Sequence, residues 1–351
     1  MHRLPDDRRS RSPVSHEREA APTEPLVTLE TIRAAAETLR GVALRTPLVA
    51  FGDPADRRLL KAESLQSVGA FKIRGAYTAV ASLTRAERGR GVITYSSGNH
   101  AQGVARAARL LGARAVVVMP SDAPAIKRER VVADGAEIVV VGTASDERRQ
   151  VAESIAAERG LSIIPPYDDD RIIAGQGTIG LELLEDLPDL AIVLVPIGGG
   201  GLASGVATAI KALRPTTRVI GVEPELAADA QESLTRGQIV RWPADLVSRT
   251  IADGTRTQGL GKRPFAHLRV HLDGVVTVSE AEIAGSVRLA AERARLVVEP
   301  SGALSLAAMA FHRRELGLAG LPGSIVAVIS GGNVDPDLYR QLLGSPIPME
   351  G

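Results

Sequence analysis

Four short segments of this chain hold residue types that could do chemistry together. In KAESLQSVGAFKIRGAY (61–77), Lys72 offers a primary amine, which can condense with an aldehyde to a Schiff base and serve as a base once displaced. In PIGGGGLASG (196–205), Gly198, Gly199, Gly200 and Gly201 follow an apolar run and precede a helical one. Without Cβ atoms, several backbone N–H groups can converge on a phosphate, aided by the N-terminus of the following helix. A flexible turn is the plainer reading, but four glycines would weaken a turn that was only structural. The spacing matches neither GxGxxG nor the GxxxxGK of nucleotide loops. SSGNHAQG (96–103) and SGGN (330–333) add hydroxyls, an amide and an imidazole. His100 has no second histidine near it in sequence, so it reads as a loop hydrogen-bonder rather than a metal ligand.

Such groups need regular elements to hold them. Thr28 can cap a helix from Leu29 to about Leu39; Thr31 stands where a capping box would need Glu or Gln, so a single cap is predicted. From Gly91 onward, β-branched runs alternate with helical ones. GVITYSS, ARAVVVMP, AEIVVVG and LSIIPPY read as strands, separated by GNHAQGVARAARLLG, APAIKRERVVADG and SDERRQVAESIAAERG as helices. A second series holds the strands AIVLVPI, TRVIGVEP, GVVTV and SIVAVIS, with the helix GGGGLASGVATAIKAL after the first. Runs so continuously apolar suit parallel sheets covered on both faces. The predicted fold class is α/β, with two doubly wound open-sheet domains. Ligands of such sheets lie beyond the carboxyl ends of the strands, where the glycine runs fall. Residues 1–25 mix Arg, Asp, Ser, Pro and His without periodicity and are expected to be a disordered arm. Residues 26–87 and 166–351 are assigned to a large domain and 88–165 to a small one.

Composition narrows the function. With 44% hydrophobic and 24% charged residues among 351, the chain is an ordinary globular one. Lys plus Arg number 42 against 41 for Asp plus Glu, so no net field attracts nucleic acid or acidic lipid. The count of cysteines is 0, which excludes disulfides, thiolate metal sites and a Cys nucleophile; a cytoplasmic location fits. The uncharged stretch Leu190–Ile210 is long enough for a membrane span, but Pro196 and the four glycines make it strand, loop and helix instead.

The four segments, in this order, closely resemble the fold-type II pyridoxal-phosphate enzymes, and within them the threonine/serine dehydratase and serine racemase group. The resemblance runs from about residue 28 to 345 and takes in GVEP, TIADG and VEPSGA. Cysteine synthase and threonine synthase share that fold but fit SSGNH and TIADG less well. The resemblance implies that Lys72 carries pyridoxal 5'-phosphate, that Gly198–Gly201 hold its phosphate, that Phe71 packs beside its ring, that Asn99 donates to its ring oxygen and that Ser330 meets its ring nitrogen. The group often has Ser where this chain has Ala70, a hydroxyl without a part in the covalent chemistry. Ser96, Ser97, Gly98 and His100 are implied to bind the substrate carboxylate. A hydroxyl at the ring nitrogen, where other folds place a carboxylate, leaves the ring a weaker electron sink and favours prompt loss of a β-leaving group.

The expected activity is β-elimination of L-threonine or L-serine to a 2-oxo acid and ammonia, with serine racemase or 3-hydroxyaspartate dehydratase as the alternatives within the group. A catalytically silent sensor that keeps the fold is the alternative of another class; loss of the lysine or the glycine loop would mark it, and both are present. Ser97 could exchange a Cα proton on the face opposite Lys72, as in racemase-like members, or only bind carboxylate. Glu223, Ala227 and Asp229 resemble a Mg²⁺ or Ca²⁺ site, though acidic residues after a strand are also commonly just solvated. Arg149 resembles an arginine at the substrate entrance, with adjacent Arg148 leaving the register open and a solvated helix arginine the plainer reading. A small-molecule amino-acid substrate and a homodimer are expected; nucleic-acid and membrane partners are not.

Overall fold

A computed structural model describes residues 25–96, 98–123, 125–142 and 145–349. Its strands are β1 Leu48–Ala50, β2 Arg58–Ala62, β3 Val92–Tyr95, β4 Ala115–Pro120, β5 Glu137–Val141, β6 Ser162–Ile163, β7 Leu190–Pro196, β8 Arg218–Pro224, β9 Gly274–Val278 and β10 Ser324–Ile329. They form a six-stranded sheet in the order β1-β2-β10-β7-β8-β9 and a four-stranded sheet in the order β5-β4-β3-β6. Every pairing is parallel except β1 with β2. The mixed α/β architecture with two open sheets is the one the alternating runs predict. The antiparallel edge β1–β2 was not legible, because three residues of strand give no periodicity to read.

The central strands are buried along their whole length, β4 and β10 without an exposed residue. Edge strand β5 is only partly covered, which leaves Val140 exposed. The helix Pro300–Phe311 is buried at all twelve positions and packs under the six-stranded sheet, with no polar stripe because it has no solvent face. At the N-terminal helix, Leu29–Thr38, the structure corrects the single cap. Thr31 Oγ1 accepts from the Thr28 N–H at 2.8 Å while Thr28 Oγ1 accepts from the Thr31 N–H, so a threonine closes the box in place of Glu or Gln. The arm expected at 1–25 lies, but for Pro25, outside the described residues. No helix among the described residues is long and apolar enough to cross a membrane.

Four helices fix what faces the cleft between the sheets. The helix Lys72–Ala81 packs between Asn99–Leu110, which flanks the small sheet, and Asp170–Asp186, which in turn packs on Gly201–Leu213. Glycines lie where their backbones meet. A Cβ on Gly175 would fall 2.6 Å from Gly75 Cα, and one on Gly205 would fall 2.5 Å from the Gly177 nitrogen. Small residues at the crossings let the lysine helix and the glycine-loop helix share one support.

Candidate active site

Lys72 is the first residue of its helix, and the chain before it is stitched to the end of β10. Phe71 N–H donates to the Ser330 carbonyl at 3.0 Å, and Ala70 bridges Gly331. The Lys72 amine donates to the Pro166 carbonyl at 2.7 Å and stands 5.1 Å from the Phe71 ring centroid. Burial without a counter-ion disfavours the ammonium, so the amine is pushed down to about 8. Arg74, two residues on, is itself buried and ties the same helix to its neighbours through charge. Its guanidinium donates to Glu63 at 2.8 Å, to Glu182 at 2.6 Å and to Thr178 at 3.0 Å. Lys61 joins the same network, donating to Glu182 at 2.5 Å. Burial opposes the charge on Glu63, yet the Arg74 guanidinium holds its carboxyl below the usual range.

The glycine loop leaves β7 and enters the helix Gly201–Leu213, which has no side-chain cap. Gly200 has φ of +93°, and a Cβ there would lie 2.7 Å from Pro264. A Cβ on Gly199 would collide with the ring of Tyr167. Among the described residues, the N–H groups of Gly198, Gly199 and Gly200 donate to no protein acceptor. An uncapped helix start behind a loop of free N–H groups fits a phosphate.

Asn99 opens the helix after β3. Its amide donates to Glu299 at 2.5 Å, and its carbonyl oxygen accepts from Asn333 at 2.9 Å. Ser330 is buried at the end of β10 with its hydroxyl 3.4 Å from the Ser301 carbonyl. His100 Nε2 donates to the Ile164 carbonyl at 3.1 Å, leaving Nδ1 a buried acceptor without a partner among the described residues. Burial, and then the Lys72 charge beside it, push its pKa down to about 3, so the ring is neutral. Ser96 Oγ accepts from Gly98 N–H at 3.3 Å. Ser97 lies outside the described residues. Lys72, Phe71, Asn99, His100, Ser330 and the glycine loop thus converge from both sheets. Arg149 does not join them: it is exposed on the helix Ser145–Arg159 and pairs with Glu153 at 3.2 Å.

Several cleft residues gave no separate signal in the sequence. Glu299 is 2% exposed, its Oε2 has no partner among the described residues, and burial raises its pKa to about 7. The VEPSGA resemblance sets Glu299 toward the cofactor, with no proton-transfer role attached. Lys127, Asp253 and the adjacent Pro166 and Tyr167 come from three separate stretches, and only the fold sets Lys127 on Asp253, Pro166 on Lys72 and Tyr167 on Gly199.

Glu223, at the end of β8, and Asp229, at the start of the helix Asp229–Arg236, are each 1% exposed. Glu223 accepts from the N–H groups of Ala230 and Gln231 at 3.0 and 2.8 Å, and Asp229 Oδ2 has no partner among the described residues. Burial drives Glu223 up to about 8, and burial with the neighbouring carboxyl raises Asp229. Two buried acids sharing one site fit a hard divalent ion. No cluster of three or more His, Cys, Asp or Glu suited to a metal occurs among the described residues, so such an ion would need Ala227 and water to complete it.

Comparison with known proteins accords with this geometry. The pyridoxal-phosphate dependent enzyme family matches residues 40–331. The chain is 44% identical to an L-threo-3-hydroxyaspartate ammonia-lyase of Saccharomyces cerevisiae, over 81% of this chain and 85% of that one. It is 40% identical to an L-threonine ammonia-lyase of Thermotoga maritima, over 93% and 80%. The structure of maize serine racemase superposes with a TM-score of 0.85 at 36% identity, covering 90% of this chain and 97% of that one. With its lysine, its glycine cradle and its two sheets accounted for, the chain belongs to the fold-type II pyridoxal-phosphate-dependent enzymes, among the ammonia-lyases and racemases of that family.

Proposed function

We propose that the protein deaminates L-threonine and/or L-serine to the 2-oxo acid and ammonia. The observation that carries this reading is the Lys72 amine, desolvated and held by a carbonyl at the start of its helix, so that a substantial fraction is uncharged near neutral pH. Bound pyridoxal phosphate would supply an aldehyde for the amino acid and a sink for the electrons of its Cα–H bond. Gly198–Gly201 would hold the phosphate, Phe71 and Asn99 would set the ring, and Ser330 would leave the ring nitrogen uncharged. Lys72 then takes the Cα proton, the β-hydroxyl leaves as water, and the released enamine takes up water to give oxo acid and ammonia. Ser96, Gly98 and His100 would stand about the substrate carboxylate, with His100 Nδ1, an acceptor, suited to a substrate N–H or O–H rather than to the carboxylate itself.

The reading carries with it the large and small domains as divided above, a homodimer, a cytoplasmic location, a divalent ion at Glu223, Ala227 and Asp229, Ser97 as a second substrate-facing hydroxyl, and Arg149 recruited on substrate entry. A panel of L-serine, D-serine, L-threonine and L-threo-3-hydroxyaspartate, followed for oxo-acid release and chirality together, tests it. Release from L-threonine or L-serine with the highest kcat/KM is expected. Preference for hydroxyaspartate, or inversion without release, would replace the assignment.

A further inference from the structure

The cleft holds a second buried lysine that the reaction above does not use. Lys127, on the helix Ala125–Ala133 beside the small sheet, is 5% exposed and donates to Asp253 Oδ2 at 2.5 Å. Asp253 belongs to the large-sheet side, so the pair spans the cleft. An ammonium has three N–H donors, and among the described residues this one finds a single acceptor. Two unmet donors on a buried cation are unfavourable unless a ligand or water meets them. Their surroundings say which ligand. A Cβ on Gly98 would lie 3.2 Å from Lys127 Nζ and 3.1 Å from Cδ, so the amine is against the loop that opens the helix Asn99–Leu110. That helix has no side-chain cap, and its free N–H groups favour an anion. Burial opposes the charge of Lys127, but Asp253 and then Glu299 outweigh it, so the ammonium persists.

We propose that Lys127 is a substrate-binding residue whose ammonium takes the α-carboxylate of the amino acid against Gly98 and the start of the Asn99 helix. Asp253 holds the ammonium in place by one N–H and leaves the other two for the ligand. The inference rests on the amino-acid-lyase reading and adds a named partner for the carboxylate.

The test compares two amines that differ in the carboxylate. Glycine and ethanolamine are titrated into the holoenzyme, and the change in its visible absorbance gives an apparent Kd for each. Lys127→Met should weaken glycine by about tenfold or more while ethanolamine shifts less than about twofold, since a charge-assisted hydrogen bond is lost only with glycine. Lys127→Arg should recover part of the glycine affinity, and with turnover substrates the loss should fall on KM rather than kcat. Equal weakening of both amines, or no change in either, overturns the proposal, as does an arginine variant no better than methionine. Should Lys127→Met fail to fold, Asp253→Asn decides. It keeps the ammonium, so the preference for glycine should persist or grow, and its disappearance would assign the pair a purely structural role. Failure of the parent reading looks different: wild-type holoenzyme would then show neither a spectral change with glycine nor oxo-acid release.

Discussion

At the scale of single residues, the Lys72 amine decides when the protein can take up its cofactor. Imine formation needs the uncharged amine, and burial has moved this one from the ordinary lysine value of 10.5 to about 8. Below that value the uncharged fraction falls about tenfold per pH unit, because the depressed group is protonated as pH drops. Uptake of pyridoxal phosphate by the cofactor-free protein should therefore rise steeply from pH 6 to about 8 and flatten above it, as followed by absorbance after rapid mixing. His100 adds no step in that window, since it is neutral down to about 3. A rate that keeps climbing past pH 9.5 would show an ordinary solvated lysine. Lys72 was legible in the sequence through the motif around it, but the carbonyl that holds it was not. Pro166 is 94 positions away, and a backbone oxygen has no identity in a sequence. Lys127 was illegible for a related reason, as one of several cations in KRER, until folding set it against Asp253 from 126 positions on.

At the scale of elements, the site depends on three helices brought close by glycines. Adding a methyl at Gly205 would push Cβ against the Ile173 carbonyl and the Gly177 nitrogen, both backbone atoms of a packed helix that cannot swing aside. Gly205→Ala should destabilise the protein by about 1–3 kcal/mol or more, read as a lower Tm and weaker retention of cofactor, because the glycine-loop helix would shift from its support. Gly89 makes the contrast. It lies in the exposed helix Arg85–Arg90 with nothing within 4 Å of its would-be Cβ, so Gly89→Ala should leave cofactor retention unchanged and raise stability by up to about 1 kcal/mol through helix propensity. A similar loss from both would mean the helix crossing has slack. The strand–loop–helix around Gly198–Gly201 was readable because composition switches abruptly there from Val and Leu to Gly and then Ala. The crossings were not, since AGQGTIG reads locally as a poor helix and gains its meaning only from the helices it meets.

At the scale of the molecule, chain order and spatial order part company. The last strand, β10, sits between β2 and β7 in the centre of the large sheet, and β6 pairs with β3 rather than with its sequence neighbour β5. Apolar runs bounded by Gly and Pro predicted that these strands exist; which neighbours they take depends on crossovers dozens of residues long, which leave no mark on the runs themselves. A single short turn, by contrast, places Glu223 and Asp229 at one buried point where β8 gives way to the helix Asp229–Arg236. Two carboxyls there repel each other and lack water, and a divalent ion would relieve both effects while binding only the folded chain. Binding of that kind raises stability by about 2.7 kcal/mol when free ion stands at a hundred times its Kd. Millimolar Mg²⁺ or Ca²⁺ should thus raise the Tm of the holoenzyme by several degrees, and dialysis against chelator should reverse the gain. Glu223→Gln should abolish the response to the ion while leaving the visible absorbance of the cofactor in place, because Lys72 and the glycine loop are held by other elements. A Tm and an activity indifferent to chelator would leave the pair as two neutralised acids, and the proposed ion would have no place in this protein.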